Sequence, residues 1–265
     1  SVPYLLNKGQ VEEAHAIVSR LEAEAGLPLV KEAIVTEAAS KAPVRFGELW
    51  KPPFAKRTLM LWLIWFGIVF SYYGIFTWLP KLLVEQGFTV VKTFEYVLVM
   101  ILAQLPGYFA AAILVEKVGR KATLAGFLFA CAICAYLFGQ SDTAGMIMFW
   151  GSMMSFFNLG AWGVLYTYTP ELYPVRFRAF GSGWASAVGR IGGVVAPMAV
   201  AALITGEGGF ERIFIMFTGV LLAVVAVIVL LGEETKGRSL DDISCLLYTY
   251  DAAEDMQCGD LRGRR

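Results

Sequence analysis

Charge is missing from this chain in long blocks: Thr58 to Pro80 (23 residues), Tyr96 to Val115 (20), Ala122 to Ser141 (20), Thr143 to Pro170 (28) and Ile213 to Gly232 (20). A sixth block, Ala179 to Gly206, runs for 28 residues with one ion, Arg190. An α-helix rises 1.5 Å per residue and needs about 20 apolar residues to cross the hydrocarbon of a bilayer, a length every block reaches. A lone segment in hydrocarbon must bond its own backbone, and spanning strands are about ten residues of alternating polarity, which these blocks are not. The blocks predict an all-α membrane protein, a six-transmembrane-helix bundle with spans at about 58–83, 95–116, 121–141, 143–169, 179–206 and 211–232.

Composition removes other classes. The chain is 57% hydrophobic and 17% charged, with mean hydropathy +0.62, whereas soluble domains carry about a quarter charged residues. Its 22 basic and 22 acidic residues cancel, so no global field attracts nucleic acid. The single histidine, His15, lies in a charged N-terminal stretch, and the four cysteines have no histidines at zinc spacing, so neither metal nor cofactor is expected. Cys131 and Cys134 read as two small packing residues rather than a redox pair. No paired acids, nor nucleophile and base, stand at catalytic spacing within the blocks, which argues against an enzyme.

Lysines and arginines set the orientation. Fifteen fall on one side of the six spans: Lys8, Arg20, Lys31, Lys41, Arg45, Lys51, Lys56 and Arg57, then Lys117, Arg120 and Lys121, then Arg176 and Arg178, then Lys236 and Arg238. Only Lys81, Lys92 and Arg212 fall on the other. Residues 1–57 are therefore expected to be a cytoplasmic segment, 233–244 a second one, and both termini cytoplasmic, in a multi-pass protein of the plasma or inner membrane. Gly9 to Ala25 has helical apolar spacing at Val11, Ala14, Ile17, Val18 and Leu21 and should form a short amphipathic helix ending at Gly26. The chain opens on Ser1 with no leader of basic start and short apolar core, and reads as beginning within a longer protein.

Four motifs lie at the edges of the blocks. Glu116-Lys117-Val118-Gly119-Arg120-Lys121 resembles the acid-x-x-Gly-Arg-Lys/Arg loop of the major facilitator superfamily, with Glu116 where aspartate is commoner. Gly119 there permits a turn with positive φ. Pro3 to Ala14 is similar to the run after the sixth helix of sugar-porter-like members, Tyr168 to Arg178 to the segment closing the tenth, and Glu234 to Leu240 to the "E-T-K-G-R-S-L" after the twelfth. The resemblance covers about residues 1 to 244. It implies helices seven to twelve of a twelve-helix transporter whose first half is missing here, in the branch of aromatic-acid and niacin proton symporters, organic-ion transporters and synaptic vesicle glycoprotein relatives. It further implies that Glu171, Arg120, Arg178 and Glu234, beside Glu116, Gly119 and Lys121, form a cytoplasmic ion network that locks the outward-facing state.

Transporters of this kind bind substrate near the bilayer midplane. Arg190 stands twelve residues from Arg178 and seventeen from Glu207, or about 18 Å and 25 Å along a helix. A central arginine costs about 2.5–3.5 kcal/mol on insertion scales, and no block contains an acid to offset it. Arg190 thus reads as the anchor of an anionic substrate, with the alternative of an acid from the absent half. Gly181, Ala185, Gly189, Gly193 and Pro197 recur every four residues beside it, a stripe that admits close helix packing. Gln104 and Asn158 reach similar depth, while Tyr72, Tyr73 and Trp162, with Tyr166, offer faces for a ring substrate. The expected function is secondary transport of a small organic anion, aromatic carboxylates included, by alternating access, with any proton-carrying acid in the absent half. A neutral sugar or polyol porter is the alternative, and a non-transporting receptor or vesicle-type protein on the same scaffold is a third reading. Residues 245–265 break from the family pattern, look like a translated sequencing adapter, and are assigned no function.

Overall fold

The computed structural model describes residue 5 and residues 10–26, 44–52, 54–85, 87–204 and 208–237. The opening Pro3–Lys8 motif is therefore largely outside the described residues, as are Glu207, Arg238 and the tail from 245. Two units separate, Ser1–Val44 and Arg45–Arg265. The first contains α1 (Val11–Ala25), amphipathic and followed by Gly26, with an Arg20–Glu24 pair one turn apart.

The second unit is helical throughout its described residues. A 3-10 turn (Phe46–Trp50) leads into α2 (Phe54–Glu85), followed by α3 (Val90–Leu102), α4 (Gln104–Lys117), α5 (Arg120–Gly139), α6 (Ala144–Glu171), α7 (Val175–Leu203) and α8 (Gly209–Leu231). Most helices outrun their uncharged blocks by a few residues because lysine, arginine and glutamate continue the helix while their long stems carry the charge to water. The second block is not one helix: α3 stops at Ala103 and α4 restarts at Gln104. Pro106 has no N–H for the Leu102 carbonyl, and the ladder breaks there.

Among the described residues five segments are long and apolar enough to span a membrane: Phe54–Glu85, Val90–Lys117, Arg120–Gly139, Arg176–Leu203 and Gly209–Leu231. The 28-residue α6 is as long but less apolar and is not among them. Helix α2 packs on α7 and α8, α5 on α6 and α8, and α4 on α6. Glycines of α7 serve the first of these contacts: a Cβ on Gly189, within the four-residue stripe, would stand 3.2 Å from the Trp65 carbonyl oxygen, and one on Gly192, outside that stripe, 2.5 Å from that of Phe66. The two backbones can approach this closely because nothing larger than hydrogen intervenes.

Candidate functional site

At the end of the bundle where α4, α6 and α8 finish and α2, α5 and α7 begin, charged groups complete helix termini. A helix C-terminus leaves carbonyls without N–H partners and carries partial negative charge, so cations belong there. Lys236 Nζ donates to the Lys117 carbonyl at the end of α4 (2.6 Å), and Lys121 Nζ to Val229 near the end of α8 (3.0 Å). Arg57 Nη1 donates to Leu172 just past α6 (3.2 Å). The opposite pole is answered by an anion. The Glu234 carboxylate accepts from the Arg120 and Lys121 amides at the start of α5 (2.8 and 3.1 Å), and from those of Thr235 and Lys236 (both 3.0 Å). Burial raises the Glu234 pKa, but the backbone N–H bonds from Lys236, Arg120, Lys121 and Ala122 outweigh it and hold the carboxyl below its ordinary value. Gly119 makes this approach possible: its φ is 113°, and a Cβ there would stand 2.6 Å from the Glu234 carboxylate.

Across that capped turn Arg120 meets Glu171. Nε reaches both carboxylate oxygens and Nη2 one of them, all at 3.1 Å, with the side chains only 15% and 21% exposed. Glu116, one turn before Arg120, adds a looser exposed pair at 3.4 Å. Thr235 Oγ1 donates to Glu171 at 2.5 Å and so joins this pair to the Glu234 cap. Arg178, expected in the same network, makes no ion pair among the described residues. Its Nε donates instead to the Pro170 carbonyl at 3.0 Å. The residue four beyond Pro170 is Pro174, which has no N–H, so that carbonyl is orphaned at the helix end and the guanidinium fills it.

A second ion pair escaped the sequence reading. Arg57, 7% exposed, bonds Glu233 through Nη2 (2.5 Å) and Nε (3.4 Å). Tyr168 Oη donates to the Glu233 carbonyl and accepts from its N–H (2.5 and 3.0 Å). Position within a charged stretch told only that Arg57 begins a span. Nothing in the sequence distinguishes Glu233 from Glu234 as its partner.

Deeper in the bundle, Arg190 lies on the exposed face of α7, and its Nη1 donates to Tyr73 Oη of α2 at 3.2 Å. No carboxylate lies within ion-pair distance of it among the described residues. Tyr73 abuts Tyr72 (ring centroids 5.6 Å), which meets Trp162 edge-on (5.8 Å), and Trp162 in turn touches Tyr166 (5.6 Å) and Trp65 (5.7 Å). Trp65 is fixed by its indole N–H to Thr169 Oγ1 (3.0 Å), and Tyr108 of α4 reaches the same cluster beside Gly163. Trp65 and Tyr108 are additions to the sequence-derived set. Gln104 and Asn158 lie apart from Arg190, inside the packing of α4, α5 and α6. They are 6% and 1% exposed, and the Asn158 amide donates to Cys131 Sγ at 3.7 Å. Gln104 Nε2 and Asn158 Oδ1 have no partner among the described residues.

A family model described as "Sugar (and other) transporter" matches residues 1–247. A "Niacin transporter NiaP" of Acinetobacter baylyi is 63% identical over 92% of this chain and 55% of its own length. A "Putative niacin/nicotinamide transporter NiaP" of Bacillus subtilis is 49% identical over 73% of the chain and 48% of its length. An "Organic cation/carnitine transporter 7" of Arabidopsis thaliana is 32% identical over 83% and 46%. The chain spans about half the length of the curated relatives it matches. With the family match running through nearly the whole sequence, and with helices of spanning length and apolarity, this multi-pass membrane chain belongs to the sugar (and other) transporter family of the major facilitator superfamily.

Proposed function

We propose that the chain is the C-terminal half of a secondary transporter that carries a small aromatic carboxylate of the niacin type by alternating access. The observation that carries this reading is the juxtaposition of Arg190, held at Tyr73, with the ring cluster of Tyr72, Trp162, Tyr166 and Trp65. A guanidinium fork pairs a carboxylate through two parallel bonds, and flat aromatic faces take a pyridine or benzene ring. The name of the Acinetobacter relative supports niacin as the substrate, and that of the Bacillus relative gives niacin together with the neutral nicotinamide. Gln104 and Asn158 belong to the proposed site only if the bundle opens to expose them.

The capped helix ends form the cytoplasmic side. The Arg120–Glu171 pair, joined through Thr235 to Glu234, locks that side while the halves are closed there, and Arg178 presents its remaining N–H groups to an acid of the other half. Coupling to protons uses an acid outside this chain, since its uncharged blocks contain none.

The test is uptake of labelled nicotinate, benzoate and glucose by cells making the complete transporter that contains this chain. Nicotinate or benzoate should accumulate, and Arg190→Gln should abolish that accumulation while surface expression persists. Glucose uptake indifferent to Arg190→Gln would establish the neutral sugar porter instead. Uptake of none of the three would favour the receptor or vesicle-type reading.

A further inference from the structure

Arg190 and Tyr73 come from different helices, and the contact between them is built. The Gly189–Gly192 approach fixes α7 against α2, and a Cβ on Gly193 would stand 3.4 Å from the Tyr73 ring, so the ring is wedged beside the glycine one turn from the arginine. The guanidinium has five N–H donors, and among the described residues one of them is hydrogen-bonded, to a neutral phenol oxygen. A neutral acceptor stabilises a cation in a weakly polar setting less than a carboxylate does, so an anionic ligand would gain from pairing with Arg190.

Resting on the anion reading above, we infer that Tyr73 makes this site choose a carboxylate over the corresponding amide. Tyr73 Oη accepts from Arg190 Nη1. When a carboxylate arrives, two guanidinium N–H groups bond its oxygens in parallel, and the phenol turns so that its own O–H donates to one of them. The hydroxyl thereby changes from acceptor to donor, and the ligand gains a third charge-assisted bond. An amide cannot collect the same set. Its oxygen can accept one guanidinium N–H, but its NH2 turns donors toward the donors of Arg190. Toward an amide the hydroxyl can donate to the oxygen or accept from the NH2, but either bond is between neutral groups and is worth less than one to a carboxylate.

The experiment measures dissociation constants of nicotinate and nicotinamide for the purified complete transporter, as wild type, Tyr73→Phe and Arg190→Gln. Loss of a hydrogen bond to a charged group weakens binding about tenfold or more. Tyr73→Phe should therefore weaken nicotinate by at least about tenfold and nicotinamide by no more than about fivefold, and so narrow the carboxylate-to-amide ratio. Phenylalanine keeps the ring against Gly193. Because both ligands are measured on one preparation, any inactive fraction cancels from the ratio. A ratio unchanged by Tyr73→Phe, whether both affinities fall or neither does, overturns the inference. If Arg190→Gln abolishes nicotinate binding while that ratio is unchanged, the Tyr73 role alone fails. If Arg190→Gln leaves nicotinate binding intact, or the wild type binds neither ligand, the anion reading fails and takes this one with it.

Discussion

Gly119→Ala is the sharpest perturbation of the capped end. Gly119 sits at φ 113°, ψ 168°, a region open essentially to glycine, and holding a side-chain residue there costs about 1–3 kcal/mol. The new methyl would stand 2.6 Å from both Cδ and Oε2 of Glu234, so the carboxylate must withdraw from the Arg120 and Lys121 amides it caps. Loss of an N-terminal cap costs about 1 kcal/mol, which brings the expected total to about 2–4 kcal/mol. The assay is reversible unfolding of the purified protein in lipid nanodiscs, read by tryptophan fluorescence, for Gly119→Ala, Glu234→Ala and the double variant. Removing the carboxylate removes the clash but not the backbone strain. Gly119→Ala should then cost about 1 kcal/mol less in the Glu234→Ala background. A single-variant cost below about 0.5 kcal/mol, or strict additivity in the double variant, would refute the reasoning.

Arg57→Ala should cost about 2–3 kcal/mol in the same unfolding assay, short of the 3–5 typical of a fully buried pair because Glu233 keeps 36% of its side chain exposed. Arg57→Lys should recover less than half of that, since one ammonium cannot reach Glu233 and the Leu172 carbonyl with the geometry of a guanidinium fork. Glu234 has a folded pKa below its ordinary value, so between the two values the unfolded chain binds more protons and stability rises with pH. Its contribution is complete above the ordinary carboxylate pKa and is lost as pH falls through the depressed folded value, and Glu234→Gln should remove that part of a stability-against-pH curve. Gly192→Ala should force α7 away from the Phe66 carbonyl at a cost of about 1–3 kcal/mol, and calorimetry of nicotinate binding should find weaker affinity because Arg190 moves with the helix.

The helices were legible because a charge in hydrocarbon is expensive enough to leave a gap in the sequence of a helix that crosses it. What the gaps could not give is the register of one helix on another. Arg57, Arg120 and Arg178 look equivalent in sequence, each a cation at a block boundary. Yet one pairs with Glu233, one with Glu171, and one caps Pro170 because Pro174 supplies no N–H. Partners 176, 51 and 8 residues away are chosen by which helix ends meet, and that follows from packing rather than local pattern. The break at Ala103 had a visible signal in Pro106, but proline within spanning helices is common enough that the charge gap alone suggested a continuous segment. Depth from rise placed Arg190, Gln104 and Asn158 at similar levels. It could not say which way each faced, and Arg190 is exposed while the two amides are enclosed.

Helix α6, of spanning length yet not among the segments apolar enough to span, is walled by protein. Helix α6 lies against α3, α4, α5 and α7, and it buries Ser155, Asn158 and Thr169 along with its apolar residues. A hydropathy threshold asks whether a segment suits lipid, but a helix walled by other helices meets little lipid and can bond its neighbours instead, as Asn158 bonds Cys131 and Thr169 accepts from Trp65. Absence of charge is the more durable signal, because a neutral polar group can be satisfied by one neighbouring helix whereas an ion at depth needs a counter-charge or a water-lined path. By that logic Arg190 is the exception that the block pattern isolates. It is the one ion within six blocks, its partner among the described residues is Tyr73, and it stands beside the aromatic cluster that α6 helps to build.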